Sequence, residues 1–202
     1  MFIGMGFYNL CNLLYHFFMV RTLPPAEYGH LNSLLALFMV ISVPANTVQT
    51  SIAKFVSSFR FHQQSDWIRG FLRHLLWVMS SVAFSIFLLF ALGSSLTAFF
   101  LQISSRLSVI LLGVALLFGM VLPVPWGGLQ GLQQFGWLSL NMILNGTLKL
   151  ALGIILVLRG LGVPGAMGAV VVAYVVTVAS SLSTLWISLP ETEGRLSGRH
   201  DS

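Results

Sequence analysis

The residue best placed to do chemistry is Lys149, a positive charge near the middle of a long apolar run. A lysine at the centre of a membrane helix costs about 2.5 to 3.5 kcal/mol to insert, unless it faces water, a partner or an anionic ligand. Asn141 and Asn145 precede it by eight and four residues, which predicts that all three share one helix face. This face would attract an anion. The alternative is that the asparagines bind neighbouring helices while Lys149 reaches toward the membrane surface or pairs with a group elsewhere.

Two further apolar runs carry polar side chains at helical spacing. The first has Asn9, Asn12 and His16, and the second has Ser42, Asn46 and Gln49. A single amide in a membrane helix is more often a contact between helices than a ligand. Three polar faces on three helices favour one shared hydrated surface, because that surface would satisfy all of them. The predicted path for a polar substrate is therefore lined by Lys149, Asn145, Asn141, Asn9, Asn12, Asn46 and Gln49.

Reactive groups for catalysis are missing from the apolar runs. They contain no carboxylate, no cluster of metal-binding side chains, no nucleophile beside a base and no glycine-rich phosphate loop. Cys11 is the single cysteine, so the chain forms no internal disulfide. We expect no enzyme, no catalytic residue, no metal and no cofactor.

The elements that position these groups are membrane helices. Of the 202 residues, 7% are charged and 56% hydrophobic, which a soluble fold would not tolerate. A spanning helix needs about 20 apolar residues, and continuous apolar runs exclude the alternating pattern of a membrane barrel. The sequence predicts an all-α bundle of about six transmembrane helices. The predicted spans are Phe2–Val20, Leu31–Phe55, Leu75–Leu92, Leu107–Val124, Trp137–Leu158 and Gly165–Leu189.

The basic residues set the predicted orientation. The net charge of +5 would suggest nucleic acid in a soluble chain, but here the charges lie at span ends, so no nucleic-acid partner is expected. More of them fall on the inside if both termini are cytoplasmic. Phe59–His74 is the one long predicted connection, lying at the lipid headgroups with Trp67 as anchor. Arg21, at the outer end of the first span, is an interfacial anchor or, alternatively, an outer gate on the substrate path.

Prolines and tryptophans mark predicted interruptions and ends of spans. Pro44 should kink the second span, because it removes a backbone donor. Pro123 and Pro125 should break the fourth. Trp126 is predicted to belong to the aromatic belt at the membrane surface.

Three turn-rich segments resemble one family of transporters. They are Arg21–Gly29 (RTLPPAEYG), Trp126–Gly136 (WGGLQGLQQFG) and Gly160–Gly168 (GLGVPGAMG). In order and spacing they are similar to the bacterial polysaccharide and oligosaccharide flippases, in the superfamily that includes the multidrug extruders. Family members have two bundles of six or seven helices around a central cavity. The resemblance implies that residues 1–189 form one lobe, the N-terminal half, followed by a short cytoplasmic polar tail at 190–202.

The resemblance implies a function and leaves alternatives open. It implies alternating-access export of a lipid-linked oligosaccharide, of the O-antigen or capsule type, across the bacterial inner membrane. Lys149 would attract the pyrophosphate of its polyprenyl carrier, and membrane lipids would surround the protein. A cation-coupled multidrug exporter or a non-transporting scaffold of glycan assembly are the alternatives. The chain would be a fragment, a half that pairs with a second copy, or a remnant.

Overall fold

The chain folds into helices throughout the part that the structure describes. The computed structural model describes residues 2–61, 65–93 and 106–189, and no strand is present among them. The predicted tail at 190–202 lies outside these residues. The helices are α1 (Phe2–Thr22), α2 (Pro25–Phe61), α3 (Ser65–Leu92), α4 (Arg106–Val121), α5 (Pro123–Gly131), α6 (Phe135–Leu156) and α7 (Gly162–Ser188), with a π-helical turn at Val157–Leu161.

Four helical stretches are long and apolar enough to cross a membrane. They are Pro25–Phe59, Trp67–Leu92, Arg106–Gly131 and Phe135–Ser188. The fourth contains both α6 and α7, which pack against each other along their lengths. Helix α1 is 21 residues long but does not belong to this set, since Asn9, Asn12 and His16 lower its hydropathy. The all-helical prediction is confirmed, and four long apolar helices fit a membrane-embedded protein.

The chain reverses direction between α6 and α7 at two glycines. Gly160 has φ +82° and Gly162 has φ +51°, a region that residues with a Cβ rarely adopt. Gly162 also leaves room for Glu27 of α2, whose carboxylate oxygen would lie 2.8 Å from a Cβ placed there. The reversal therefore depends on glycine both for its backbone conformation and for a close contact.

The helices extend further than the sequence predicted at two places. Most of the predicted connection at Phe59–His74 is helical, because α2 runs to Phe61 and α3 begins at Ser65. The predicted break after the fourth span is a single residue, Leu122, which itself has helical φ and ψ. Backbone hydrogen bonds continue across it, from the Leu122 N–H to Phe118 and from the Trp126 N–H to Leu122. Pro123 and Pro125 lie in the first turn of α5, where a proline costs no helical hydrogen bond, and the apolar stretch continues to Gly131.

Five helices pack in a row, each on the next. Helix α1 packs on α6, α6 on α7, α7 on α4 and α4 on α3. Helix α2 packs mainly on α5 and α4. Helices α1 and α2 follow each other in the chain but contact each other only slightly. The candidate functional site lies in the space between α1 and α2.

Candidate functional site

A cavity of about 580 Å³ lies between α1 and α2. Its back wall comes from α4, α5, α6 and α7. Its lining residues on α2 extend from Asn32 to Gln49, about 26 Å of helix at 1.5 Å per residue, which is most of the thickness of a bilayer core. We call this space the polar cavity. Its polar lining residues are Tyr8, Asn9, Asn12, His16, Asn32, Ser42, Asn46, Gln49, Trp126, Lys149 and Tyr174.

Lys149 is the charged residue of the polar cavity. Its Nζ donates a hydrogen bond to Asn12 Oδ1 at 2.8 Å and lies 4.5 Å from the centre of the Tyr15 ring. Both partners are neutral, and the residues lining the cavity include no aspartate or glutamate. An ammonium group has three N–H donors. The positive charge is thus held by dipoles and a ring face, without a neutralising carboxylate in this lining.

Two residues of α1 fix the position of Lys149. The Asn12 amide donates to the Tyr8 carbonyl oxygen at 3.0 Å, which turns its own oxygen toward Lys149. Tyr15 is fully buried and donates its hydroxyl to the carbonyl oxygen of Ala166 on α7 at 3.1 Å. Gly153 on α6 leaves room for the Tyr15 ring, since a Cβ there would lie 2.7 Å from it. The lysine therefore lies in a formed site rather than on a free surface.

Helix α2 supplies the opposite wall with uncharged polar groups. Ser42 donates to the Phe38 carbonyl oxygen at 2.7 Å, and Gln49 donates to Gln130 Oε1 at 3.4 Å. Asn46 lines the cavity and is exposed. Asn32, which was not among the predicted residues, lies two heptads before Asn46 on the same face of α2. This 14-residue spacing is the feature of the sequence that could have indicated it.

The structure brings together most of the predicted path residues. Asn9, Asn12, Asn46, Gln49 and Lys149 all line the polar cavity. The prediction of one shared surface on three helices thus agrees with the geometry.

Asn141 and Asn145 do not line the polar cavity. Asn145 donates to Thr177 Oγ1 at 3.0 Å and lies 3.4 Å from the Ala173 carbonyl oxygen, both on α7. Asn141 donates to the Trp137 carbonyl oxygen of its own helix at 2.9 Å. Both are buried, with 1% exposure. Asn145 thus joins α6 to α7, as the packing alternative has it, whereas Asn141 bonds within α6 and its buried side-chain oxygen has no hydrogen-bond partner among the described residues.

Arg21 also lies apart from the polar cavity. Its side chain is exposed at the end of α1, and its guanidinium lies 4.5 Å from the centre of the Phe17 ring. A cation over an aromatic ring on the same helix suits an interfacial anchor. The geometry favours the anchor over the gate.

Trp126, predicted to belong to the aromatic belt, has contacts that the sequence did not indicate. It lines the polar cavity, half-buried, and its indole Nε1 donates to Ser181 Oγ on α7 at 3.1 Å. Its ring meets Tyr8 edge-on, with 6.5 Å between ring centres. Because Pro123 and Pro125 begin a further helix, Trp126 lies within that helix and on its cavity side. Tyr174 on α7 is a second aromatic lining residue that the sequence did not reveal.

Among the described residues, no three His, Cys, Asp or Glu side chains come close enough to hold a metal ion. The chain's cysteine, Cys11, is free and buried against Gly146. The chemistry that this geometry offers is binding by one cation, several amides and aromatic faces.

No protein family, curated protein or solved structure matches this chain. The class of protein therefore rests on the fold and the site alone. They define an all-helical protein, fit for a membrane, with a polar cavity that carries one positive charge.

One prediction concerns water in the polar cavity. A cysteine at Asn46 should react with a water-soluble maleimide roughly tenfold faster than one at Val40, because thiolates form in water and are disfavoured in apolar surroundings. Val40 is the matched control, since it is 69% exposed on the same helix but does not line the cavity. The measurement is labelling of the protein in liposomes. Equal rates at the two positions would mean that the cavity is not hydrated.

Proposed function

We propose that this chain is one lobe of a bacterial inner-membrane flippase that exports a lipid-linked oligosaccharide. The cargo would be a polyprenyl-pyrophosphate glycan of polysaccharide biosynthesis, such as an O-antigen or capsule precursor. The observation that carries the proposal is Lys149 in the polar cavity, held by neutral groups and surrounded by amides. Such a site suits a ligand with one anionic group and many hydroxyls.

The charge of the site favours an anionic ligand over a cationic one. A positive charge in a membrane interior is costly unless something compensates it, and Asn12 and Tyr15 compensate it only as dipoles. An anion would supply the missing charge and accept hydrogen bonds from the remaining N–H groups of Lys149. The pyrophosphate of a polyprenyl carrier is an anion that reaches a membrane protein from within the lipid.

The proposed mechanism is alternating access between two bundles. In this proposal the chain crosses the membrane six times, through α1, α2, α3, the α4–α5 stretch, α6 and α7, with both termini in the cytoplasm. A second bundle, from further chain or from a second copy, would cover the open side of the cavity. Exposed Asn9, Asn32 and Asn46 support this, because amides facing lipid are unfavourable and would gain from a wet surface between two bundles.

The alternative within the superfamily is a cation-coupled multidrug exporter. That function usually requires a carboxylate near the cavity to bind the drug or the ion, and none lines it here. A non-transporting scaffold of glycan assembly would require no cavity at all. The polar lining therefore favours glycan export over both.

Deletion of the gene in its host tests the proposal. Surface glycan should be lost, lipid-linked precursor should accumulate in the inner leaflet, and the intact gene should restore export. Drug susceptibility measured in the same strains separates the multidrug alternative. Normal surface glycan in the deletion strain, with raised drug susceptibility, would contradict the proposal in favour of that alternative.

A further inference from the structure

The part of the polar cavity near Trp126 has a composition different from the neighbouring part near Lys149. Tyr8 and Trp126 provide aromatic surfaces in the first part, and Gln49 provides an amide. The part near Lys149 provides the charge, with Asn12 and the buried Tyr15. The two neighbouring parts therefore suit two different parts of one ligand.

Trp126 is held rigidly while part of it stays accessible. Its N–H is fixed by Ser181 and its ring by the edge-on contact with Tyr8, so it loses little freedom when a ligand packs on it. It is half-buried and lines the cavity. The C–H face of a pyranose ring is apolar, and a flat, immobile aromatic surface is a suitable partner for it.

Gln49 adds a group that binds hydroxyls. Its contact with Gln130 is 3.4 Å long, which is at the weak end for an N–H···O hydrogen bond. An amide side chain has both donors and acceptors, as a sugar hydroxyl does. A ligand hydroxyl could therefore replace the long contact between the glutamines at little cost.

The spacing of these two parts of the cavity fits a sugar next to a phosphate. Tyr8 contacts Trp126, and Asn12 contacts Lys149. Tyr8 and Asn12 lie one helical turn apart on α1, about 6 Å. We propose that Tyr8, Trp126 and Gln49 form a subsite for the sugar ring directly attached to the anionic group that Lys149 binds. This inference rests on the proposed function and assigns these residues to recognition of the glycan.

The test compares two soluble probes that differ only in the sugar. Inorganic phosphate and glucose 1-phosphate are titrated against the purified full chain in lipid nanodiscs. Ligand-detected NMR gives both affinities, and saturation transfer reports contact with the sugar ring protons. We expect glucose 1-phosphate to bind about tenfold more tightly than phosphate, as one aromatic packing contact would provide.

Variants separate the subsite from the charge site. Trp126→Ala should bring the affinity ratio of the two probes close to one without changing the phosphate affinity, whereas Trp126→Phe should retain most of the ratio. Gln49→Leu provides a second variant, on a different helix, in case Trp126→Ala fails to fold. Lys149→Gln should weaken both probes equally.

Each outcome decides between the two proposals. Equal affinities in the unchanged protein, or a ratio that survives both Trp126→Ala and Gln49→Leu, would overturn the sugar subsite and leave the anion site standing. Binding of neither probe, or phosphate binding that is unaffected by Lys149→Gln, would overturn the proposed function and the subsite with it.

Discussion

Replacing Lys149 by glutamine is expected to abolish glycan export while making the protein itself more stable. Removing one partner of a buried charged contact costs about 2–5 kcal/mol of binding, so export should fall roughly 30-fold or more. The same change removes a charge whose insertion into the membrane costs about 2.5–3.5 kcal/mol. A structural lysine would show the opposite behaviour, since its loss would weaken the fold.

The experiment measures both quantities on the same variants. Surface glycan is measured in cells that express each variant at equal level, and the thermal midpoint is measured on purified protein in detergent. Lys149→Arg should retain part of the export, because the charge is kept. Asn12→Asp should lose export although Lys149 is present, because a carboxylate 2.8 Å from Nζ would neutralise it. Export that is normal in Lys149→Gln would remove the lysine from the mechanism.

Gly131→Ala is expected to destabilise the protein strongly through a single added methyl group. A Cβ at this position would lie 2.6 Å from Val56 Cβ and 2.8 Å from the Ala53 backbone oxygen on α2. Gly127, one turn earlier, is equally close to the Gln49 backbone oxygen at 2.7 Å. The two glycines let α5 approach α2 closely, as small residues do between membrane helices. Forcing the helices apart should cost about 1–3 kcal/mol.

A second glycine provides the matched control. A Cβ on Gly6 in α1 would meet nothing within 4 Å, so Gly6→Ala should be neutral or stabilising by up to about 1 kcal/mol, as alanine is the better helix former. The free energy of unfolding of both variants is measured in mixed micelles with increasing denaturing detergent. Equal stability of the two variants would mean that α2 and α5 are not packed as described.

Residue type and spacing predicted much of the site. Polar residues that recur every three or four positions on α1 and α2 had to share a face, and the costly charge of Lys149 had to face the same surface. All three helices meet at the polar cavity. The polar residues could be grouped from sequence because a bilayer leaves few places for polar groups. The position of a polar residue along its helix therefore indicates which surface it faces.

The expectation that Asn141 and Asn145 share the face of Lys149 was wrong, because a helix does not return to the same direction after four or eight residues. At about 100° per residue, four residues turn a helix by about 40° beyond a full turn, and eight by about 80°. Lys149 therefore faces α1, whereas Asn145 faces α7. Sequence spacing alone does not say which of two neighbouring helices a broad polar face contacts. That choice is made by packing, here by glycines such as Gly146 and Gly153 that bring α1 against α6.

The cavity contact of Trp126 could not be predicted from the sequence. Two prolines and two glycines around a tryptophan are typical of a span end at the membrane surface. Here the prolines occupy the first turn of α5, and Gly127 is required for contact with α2. The helix therefore continues, and Trp126 lines the polar cavity. Only the tertiary packing distinguishes these two uses of the same residues.

The most direct test of the account is whether the protein recognises the charge of a lipid headgroup through Lys149. Native mass spectrometry of the full chain in nanodiscs measures binding of a polyprenyl pyrophosphate against the corresponding polyprenyl alcohol. We expect the unchanged protein to prefer the pyrophosphate at least about tenfold and Lys149→Gln to have no preference. Equal binding of the two lipids by the unchanged protein, or an undiminished preference in Lys149→Gln, would contradict it.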